Sequence, residues 1–334
     1  MSVEVFYTAH EHPQLHATKP PGPSVRCILR YLAEGGANFV FHILPRTSDD
    51  ALPPALEGRV LRLRKDLPHV QSAKEQAEAF QRHFEPLFAP QHLVQPELIA
   101  LGDGFSSLVN ASLATLERSA GRDTHSLSRH ETYALLLADM TFNAPCTGFQ
   151  MKPKWLAPSP SAPHGAKRCR TCALRASRVA HQRSTPTDAQ AFCPLMLVSD
   201  DPRDRETAAK MVTSCPVLQR FLTYDASSLF STLREGQTTF DPRGVLALTA
   251  DASAVNELCK AMTLRDCTLF ARHTSHGPVE ARLADLDLKQ PAKLPQWAKI
   301  EQTLTEQGWY TNEEDPQHWS RELMCQLSRG VKGV

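Results

Sequence analysis

The 334-residue chain, with 41% hydrophobic and 22% charged residues, has the composition of a folded globular protein with one large domain or two lobes. It contains no run of eighteen apolar residues and starts with an early glutamate rather than an apolar segment, so neither a transmembrane helix nor a secretory signal is expected. Nine irregularly spaced cysteines argue against a disulfide framework and favour a reducing compartment.

The first 150 residues are predicted to form a mixed sheet with a few helices. Two β-rich runs flank a Gly-Gly turn between Val25 and Leu44, which indicates a hairpin. The alternation in RVLRLRK, Arg59 to Lys65, indicates a strand with one charged face. The remaining predictions here are helices over Ser72–Phe88 and Ser107–Arg118, and strands over Tyr133–Met140 and Gly148–Lys152.

The second half is predicted to be mainly helical at first and to end in a small amount of sheet. A Pro-rich loop and a Cys-x-x-Cys pair open it, and the lobe boundary is placed near residue 150. Helices are predicted over Asp204–Phe221, Ala252–Met262 and Pro295–Gln307, and strands over Cys267–Arg272 and Glu280–Leu288.

Two stretches of the first half have features of a phosphate site. In AEGGANFVF, a glycine turn between strands lets backbone N–H groups lie along phosphates, although an ordinary hairpin has the same pattern. In RVLRLRK, Arg62 and Arg64 lie on one face of the strand and Lys65 on the other. This arrangement suits either phosphate binding or a solvated strand edge.

Positive charge is concentrated beyond residue 148, although the formal net charge of the chain is only +1. Between Asp139 and Asp188 there are eight basic residues, two histidines and no acid. Lys152 and Lys154 are two apart and share a face of the predicted strand, where they would either bind a phosphate or be solvated. Nucleic acid is another partner for a basic segment, but the aromatic residues that stack on bases are nearly absent from it.

Cys169 and Cys172 have the spacing of half a zinc site. Cys193 and His181 are the nearest candidates for the other two ligands, and further options are Cys215 and His164. Structural zinc, unligated cysteines and a redox pair all fit this spacing.

Two aspartates stand at the edges of predicted strands in the second half. Asp266 lies in LRDCTLF and Asp285 in RLADLDLK. Phosphoryl transfer requires carboxylates for two tasks, to orient the acceptor hydroxyl and to hold Mg²⁺. Turn or capping aspartates would give the same pattern.

In their order along the chain and in their residues, these motifs resemble those of the inositol-pentakisphosphate 2-kinase family, in particular its fungal branch. YLAEGGANFVF is similar to the family's glycine loop, and VLRLRK follows it. MKPKWLAPSPSAPHGAKRCRTCALR is similar to the family's KPK signature with its CRxC segment. AFCPLMLVS, LRDCTLF and RLADLDLK are similar to the later elements, so the resemblance spans Val25 to Trp309.

The resemblance implies an α+β, two-lobed inositol polyphosphate kinase fold that is distantly similar to protein kinases. The N-terminal lobe, 1–150, would carry the glycine loop, and the C-terminal lobe, 151–334, the basic segment, the Cys-x-x-Cys pair and the Mg²⁺-binding aspartate. The implied cofactors are ATP and Mg²⁺, with structural Zn²⁺ as a further candidate. The implied reaction moves the ATP γ-phosphoryl group to the 2-hydroxyl of inositol 1,3,4,5,6-pentakisphosphate, giving inositol hexakisphosphate.

The resemblance also implies a role for individual residues. Asp266 would receive the hydroxyl proton, and Lys152 would be a second catalytic residue that also contacts the phosphates of ATP. Asp285 would hold Mg²⁺. The remaining contacts to ATP would come from Gly35, Gly36, Ala37, Asn38 and Arg62. Contacts to the inositide would come from Lys154, Arg178, Lys289, Lys293, Trp297 and Arg122.

A substrate with five phosphates explains an acid-free basic segment, because its site must supply many cations and exclude carboxylates. The expected protein is a monomer of the nucleus or cytoplasm that acts on inositol pentakisphosphate and ATP, without a membrane or nucleic-acid partner. One departure, Gln150 where the signature has glutamate, keeps open a catalytically degenerate inositol-phosphate-binding protein. A zinc-containing nucleic-acid-binding protein is the third alternative.

Overall fold

A computed structural model describes residues 2–9, 12–68, 70–118, 124–142, 147–181, 192–248, 251–274, 277–311 and 325–329. The chain divides into two compact units. Unit 1 comprises Met1–Glu85 and Val94–Asp139, and unit 2 comprises Pro86–Leu93 and Met140–Val334. The structure contains both helices and strands, in agreement with the predicted α+β class.

Unit 1 is built on a closed barrel of seven strands. The strands are β1 (Ser2–Thr8), β2 (Gln14–His16), β3 (Val25–Glu34), β4 (Asn38–Pro45), β5 (Arg59–Arg64), β6 (Glu97–Leu101) and β7 (Tyr133–Ala138). They follow the order β1-β2-β6-β7-β5-β4-β3, and β1 pairs with β3 to close the ring. Only the short β2–β6 pair is parallel among these neighbours. Alternate side chains point inward, where fully buried residues such as Leu29, Phe39 and Leu61 form the core.

The predicted hairpin and the RVLRLRK strand are confirmed as β3, β4 and β5. Two helices accompany the barrel, α1 (Ala73–His83) and α2 (Phe105–Leu113), and both end earlier than predicted. Helix α1 begins with a capping box between Ser72 and Glu75. It stops before Pro86, which cannot donate a helical hydrogen bond, and a 3₁₀ turn follows over Glu85–Leu87.

Unit 2 contains an antiparallel sheet of three strands, in the order β10-β9-β8. They are β8 (Thr147–Met151), β9 (Thr268–His273) and β10 (Glu280–Ala284). Strand β8 belongs to unit 2 because its partner is β9, although the lobe boundary was expected near residue 150. The helices are α3 (Arg170–Ala180), α4 (Pro202–Val212), α5 (Pro216–Arg220), α6 (Ser227–Phe240), α7 (Ala252–Leu264), α8 (Leu294–Glu306) and α9 (Gln326–Arg329).

The single helix predicted over Asp204–Phe221 is two helices, α4 and α5. The first ends at Val212, where the backbone of Thr213 becomes extended. Pro216 prevents one continuous helix because it disfavours helical backbone at Cys215, and it occupies the first turn of α5. A π-helical segment, Phe221–Asp225, and the unpredicted α6 follow. Among the described helices, none is both long and apolar enough to cross a membrane.

Candidate active site

The register of the three-stranded sheet brings the predicted site residues of unit 2 to one end of it. Leu269 of β9 pairs with Met151 of β8 on one side and with Leu283 of β10 on the other. Lys152 follows β8 directly, Asp285 follows β10 directly, and Asp266 lies just before β9. Residues that are more than a hundred positions apart in the chain are therefore neighbours.

The carboxylate of Asp266 is bound by three lysines. Its Oδ1 lies 3.1 Å from Lys152 Nζ and 3.1 Å from Lys154 Nζ, and its Oδ2 lies 2.7 Å from Lys289 Nζ. Lys152 Nζ also donates to the backbone oxygen of Asp266 at 2.6 Å. The four side chains are 33–40% exposed, so the ammonium groups are open to a dissolved anion. Because one carboxylate offsets only part of their charge, this lysine cluster of Lys152, Lys154 and Lys289 is suited to an anionic ligand.

The lysine cluster changes the pKa values within it. Burial acts to raise the pKa of Asp266, but the charge and hydrogen bond of Lys289, followed by Lys154 and Lys152, outweigh it and hold that pKa well below its ordinary value. Burial lowers the pKa of Lys154, and Asp266 opposes this only in part. Asp266 is therefore ionised at neutral pH and is a weak proton acceptor.

Asp285 presents an exposed, hydrogen-bonded carboxylate at the same end of the sheet. Its side chain is exposed, and its Oδ2 accepts a hydrogen bond from Thr268 Oγ1 at 2.5 Å. Its backbone adopts the left-handed conformation with φ of 57°, and that of Lys154 has φ of 60°. Strained backbone of this kind concentrates at functional sites. Strand β10 consequently ends at Ala284 rather than at the predicted Leu288.

Three arginines of the acid-free segment are structural, which corrects the view that the whole segment faces a ligand. Arg168, Arg170 and Arg175 are 4%, 8% and 6% exposed. Arg170 Nε donates to Glu301 Oε1 at 2.7 Å, and its guanidinium lies 4.8 Å from the ring centroid of Trp155. The carboxylate that compensates the charge of Arg170 thus belongs to Glu301, which lies far along the chain.

Of the other predicted inositide contacts, Arg178 and Lys293 are exposed. Trp297 is 8% exposed and packs with Leu258 and Cys259 in a hydrophobic cluster, which assigns it to the core of unit 2. Arg122 lies outside the described residues.

The glycine turn in unit 1 leaves its backbone accessible. Gly35 N donates to Asn38 O at 2.9 Å, and Lys65 N donates to Ala37 O at 2.8 Å. A side chain at Gly35 or Gly36 would meet nothing within 4 Å in the part of the chain that is described. Packing within the described residues therefore does not require glycine here, and the turn is open to solvent.

The cations near the glycine turn are buried. Arg62 is 8% exposed and donates to Gln76 Oε1 at 3.2 Å, so its contact with ATP stays a prediction. Lys65 is fully buried, with Nζ 2.7 Å from Glu34 Oε2 and 4.7 Å from the ring centroid of Phe39. This ion pair fixes Glu34, which immediately precedes the glycine turn, to Lys65, which immediately follows β5.

Four cysteines meet in unit 2. The Sγ atoms of Cys169, Cys172, Cys193 and Cys325 all lie within 4.8 Å of one another, and all four residues are buried. Sulfur atoms about 2.3 Å from a tetrahedral zinc ion are about 3.8 Å apart. The Cys169–Cys193 distance is 3.8 Å and the Cys193–Cys325 distance 3.6 Å. The donor set therefore fits structural zinc.

The fourth member of this cysteine cluster is Cys325 and not the predicted His181. His181 Nδ1 lies 2.7 Å from Ser177 O, and its ring contacts Trp309. Cys325 belongs to no spacing motif in the sequence, so its participation had no local signal.

Comparisons with known proteins agree with these motifs. A family model described as inositol-pentakisphosphate 2-kinase matches residues 31–241 and 217–303. An inositol-pentakisphosphate 2-kinase from Yarrowia lipolytica (strain CLIB 122 / E 150) is 33% identical over 167 residues, 48% of this chain and 53% of the relative. The chain thus spans about half the length of the curated relative it matches.

Proposed function

Because the chain belongs to the inositol-pentakisphosphate 2-kinase family, we propose that it transfers the γ-phosphoryl group of ATP to the 2-hydroxyl of inositol 1,3,4,5,6-pentakisphosphate. Inositol hexakisphosphate would be the product. The observation that carries the proposal is the lysine cluster around Asp266, which joins a polyphosphate site to a carboxylate of the kind that phosphoryl transfer uses.

The lysines bind and place the phosphates. Lys154 and Lys289 are the proposed inositide contacts, with the exposed Arg178 and Lys293 further out, and Lys152 is the proposed contact for the transferred phosphate. In the free protein Asp266 partly neutralises the lysines, so an incoming anion exchanges with it. Flexible ammonium groups suit this exchange because each acts as a point charge without a fixed fork geometry.

Asp266 acts mainly by orienting the acceptor hydroxyl. Its lowered pKa makes it a poor base for a free alcohol. In a loose phosphoryl-transfer transition state the proton leaves late. It passes to Asp266 as the hydroxyl oxygen bonds to the γ-phosphorus and the bond from that phosphorus to the departing ADP breaks, and positioning supplies most of the acceleration. The carboxylate accepts a hydrogen bond from the 2-hydroxyl and directs its oxygen toward the γ-phosphorus.

Two ions complete the proposal. Asp285, oriented by Thr268, would hold Mg²⁺, which neutralises charge on the ATP phosphates when bound. The cysteine cluster would hold Zn²⁺ in a structural role, since all four positions of a tetrahedral site are filled by protein sulfur.

The kinase-like, two-lobed arrangement is also a proposal. Its support is that unit 1 carries the glycine turn and unit 2 carries both aspartates. The accessible backbone from Gly35 to Asn38 would contact the phosphates of ATP.

A turnover assay tests the function directly. Purified protein is mixed with inositol pentakisphosphate, ATP and Mg²⁺, and the hexakisphosphate is measured by ion-exchange chromatography. Product from the wild-type protein that is lost in Asp285→Ala is the expected result. Binding of the inositide without any product would instead identify a catalytically degenerate binding protein, and Gln150→Glu would then be the first variant to assay.

A further inference from the structure

A buried glutamine outside all of the sequence motifs connects the two segments that carry the site. Gln237 lies on α6 and is 1% exposed. Its Oε1 accepts from Leu156 N at 2.9 Å, and its Nε2 donates to Lys154 O at 2.8 Å and to Leu264 O at 3.3 Å. The first two bonds fasten the turn that contains Lys154, and the third reaches the segment just before Asp266.

The turn that Gln237 holds needs such support. Lys154 is in the left-handed conformation, with φ of 60°, which is unfavourable for a residue with a side chain. Bonds to the peptide groups on both sides of Trp155 fix this conformation. They thereby set the direction in which Lys154 Nζ reaches Asp266 Oδ1, at 3.1 Å.

A second set of contacts ties the same segments together. The guanidinium of Arg265 lies 3.6 Å from the ring centroid of Trp155, and its Nη1 is 2.6 Å from Asp241 Oδ2. Its Nη2 donates to the backbone oxygen of Gln237 at 3.2 Å. Arg265 and Trp155 are the immediate neighbours of Asp266 and Lys154, so this stack keeps the two functional side chains adjacent.

The helix itself is shaped for close approach. A Cβ atom at Gly236 would lie 2.7 Å from Leu264 Cδ1. Glycine is unfavourable inside a helix, and here it lets α6 come near the segment that ends in Asp266. The adjacent Gln237 can therefore reach Leu264 O.

The geometry points to Gln237 as a positioning residue for the transfer step: it holds Lys154 and Asp266 in the mutual arrangement that binds the inositide and orients its hydroxyl. This inference rests on the proposed function. Gln237 touches neither substrate nor reacting atoms, and it acts through the backbone of the two segments.

The test compares Gln237→Met, which keeps the side-chain length and removes all three hydrogen bonds, with the wild-type enzyme. We expect kcat/KM for inositol pentakisphosphate to fall at least tenfold, while KM for ATP stays within twofold. Phe230→Leu, on the same helix two turns earlier and fully buried, is the control for loss of stability. It should lower the thermal midpoint without changing the ratio of the two KM values.

Binding is measured beside turnover by calorimetry with inositol hexakisphosphate in the absence of ATP. Gln237→Met should bind it at least tenfold more weakly than the wild type. Gln237→Leu, which also lacks all three hydrogen bonds and adds no buried charge, gives the same comparison should the methionine variant not fold.

The outcomes separate the two proposals. Equal kinetics and binding in Gln237→Met and Phe230→Leu would overturn the positioning role and leave the kinase proposal intact. A wild-type protein that binds the hexakisphosphate without turnover would overturn the kinase proposal, and binding by the variants would still decide the role of Gln237. Failure of the wild type to bind or turn over would overturn both.

Discussion

Replacing Asp266 by asparagine should abolish turnover and yet tighten the binding of inositol phosphates. The amide keeps the size of the side chain and can still accept hydrogen bonds, but it removes the negative charge that occupies the lysine cluster. An anion then binds without first displacing a carboxylate from three ammonium groups.

The size of the gain follows from the three ion pairs. Their N–O distances are 2.7–3.1 Å, and the side chains are 33–40% exposed. Pairs with this exposure contribute about 0.2–1 kcal/mol each, so the three together amount to roughly 0.6–3 kcal/mol. Since about 1.4 kcal/mol corresponds to a tenfold change in Kd, the Kd should fall by a factor between about 3 and about 140.

The assay is calorimetric titration with inositol hexakisphosphate at fixed ionic strength and without Mg²⁺. Asp285→Asn is the matched control, because it removes the same charge from the same end of the sheet, where the carboxylate is bound by Thr268 instead of lysine. Its Kd should change less than that of Asp266→Asn.

The pKa of Asp266 determines how the tighter binding of Asp266→Asn depends on pH. The pKa of Asp266 is held below its ordinary value, so its ion pairs are complete above about pH 4 and are lost only as the pH falls through the lowered pKa. The wild-type carboxylate therefore stays ionised from about pH 6 to 8, so its own titration does not alter the difference between variant and wild type in that range. The difference should shrink only as this carboxylate is protonated in strong acid. Weaker binding by Asp266→Asn would refute the reasoning, because it would show that the carboxylate organises the lysines rather than competing for them.

Three further predictions concern other parts of the chain. Cys325→Ser should reduce the zinc content measured by mass spectrometry and lower the midpoint of thermal unfolding by roughly 5–10 °C; an unchanged zinc content would exclude this cysteine as a ligand. Glu34→Gln leaves the buried Lys65 without its carboxylate and should lower the free energy of unfolding in urea by about 3–5 kcal/mol, whereas Glu4→Gln, in an exposed pair, should change it by less than about 0.5 kcal/mol. Gln150→Glu should change kcat by less than about threefold, because the lysine two residues further on is already bound by the site aspartate; a tenfold rise would show that the glutamine impairs the enzyme.

The sequence predicted those features that depend on neighbouring residues. The hairpin around Gly35 and Gly36 has a turn with alternating strands on both sides, and the lysines and aspartates of unit 2 stand in short motifs. Each of these signals lies within about ten residues of chain. The gathering of Lys152, Asp266 and Asp285 at one end of a sheet depends in addition on the strand register, which no local pattern specifies.

The features that the sequence did not predict depend on partners far away in the chain. Closure of the barrel rests on β1, β2 and β6, which were not predicted as strands. Arg170 belongs to the acid-free basic segment, and the acid that pairs with it, Glu301, lies far along the chain. Cys325 and Gln237 carry no motif, and their roles follow only from the segments that the fold brings beside them.

The left-handed backbone at Lys154 and Asp285 has a consequence for engineering the protein. Glycine would be the relaxed residue at both positions, and each strained residue costs on the order of 1–3 kcal/mol. A design protocol that optimises thermal tolerance would therefore choose glycine or asparagine there, and would remove the proposed phosphate contact of Lys154 and the proposed magnesium ligand Asp285 together. A programme of stabilising substitutions should therefore leave Lys154 and Asp285 unchanged from the outset.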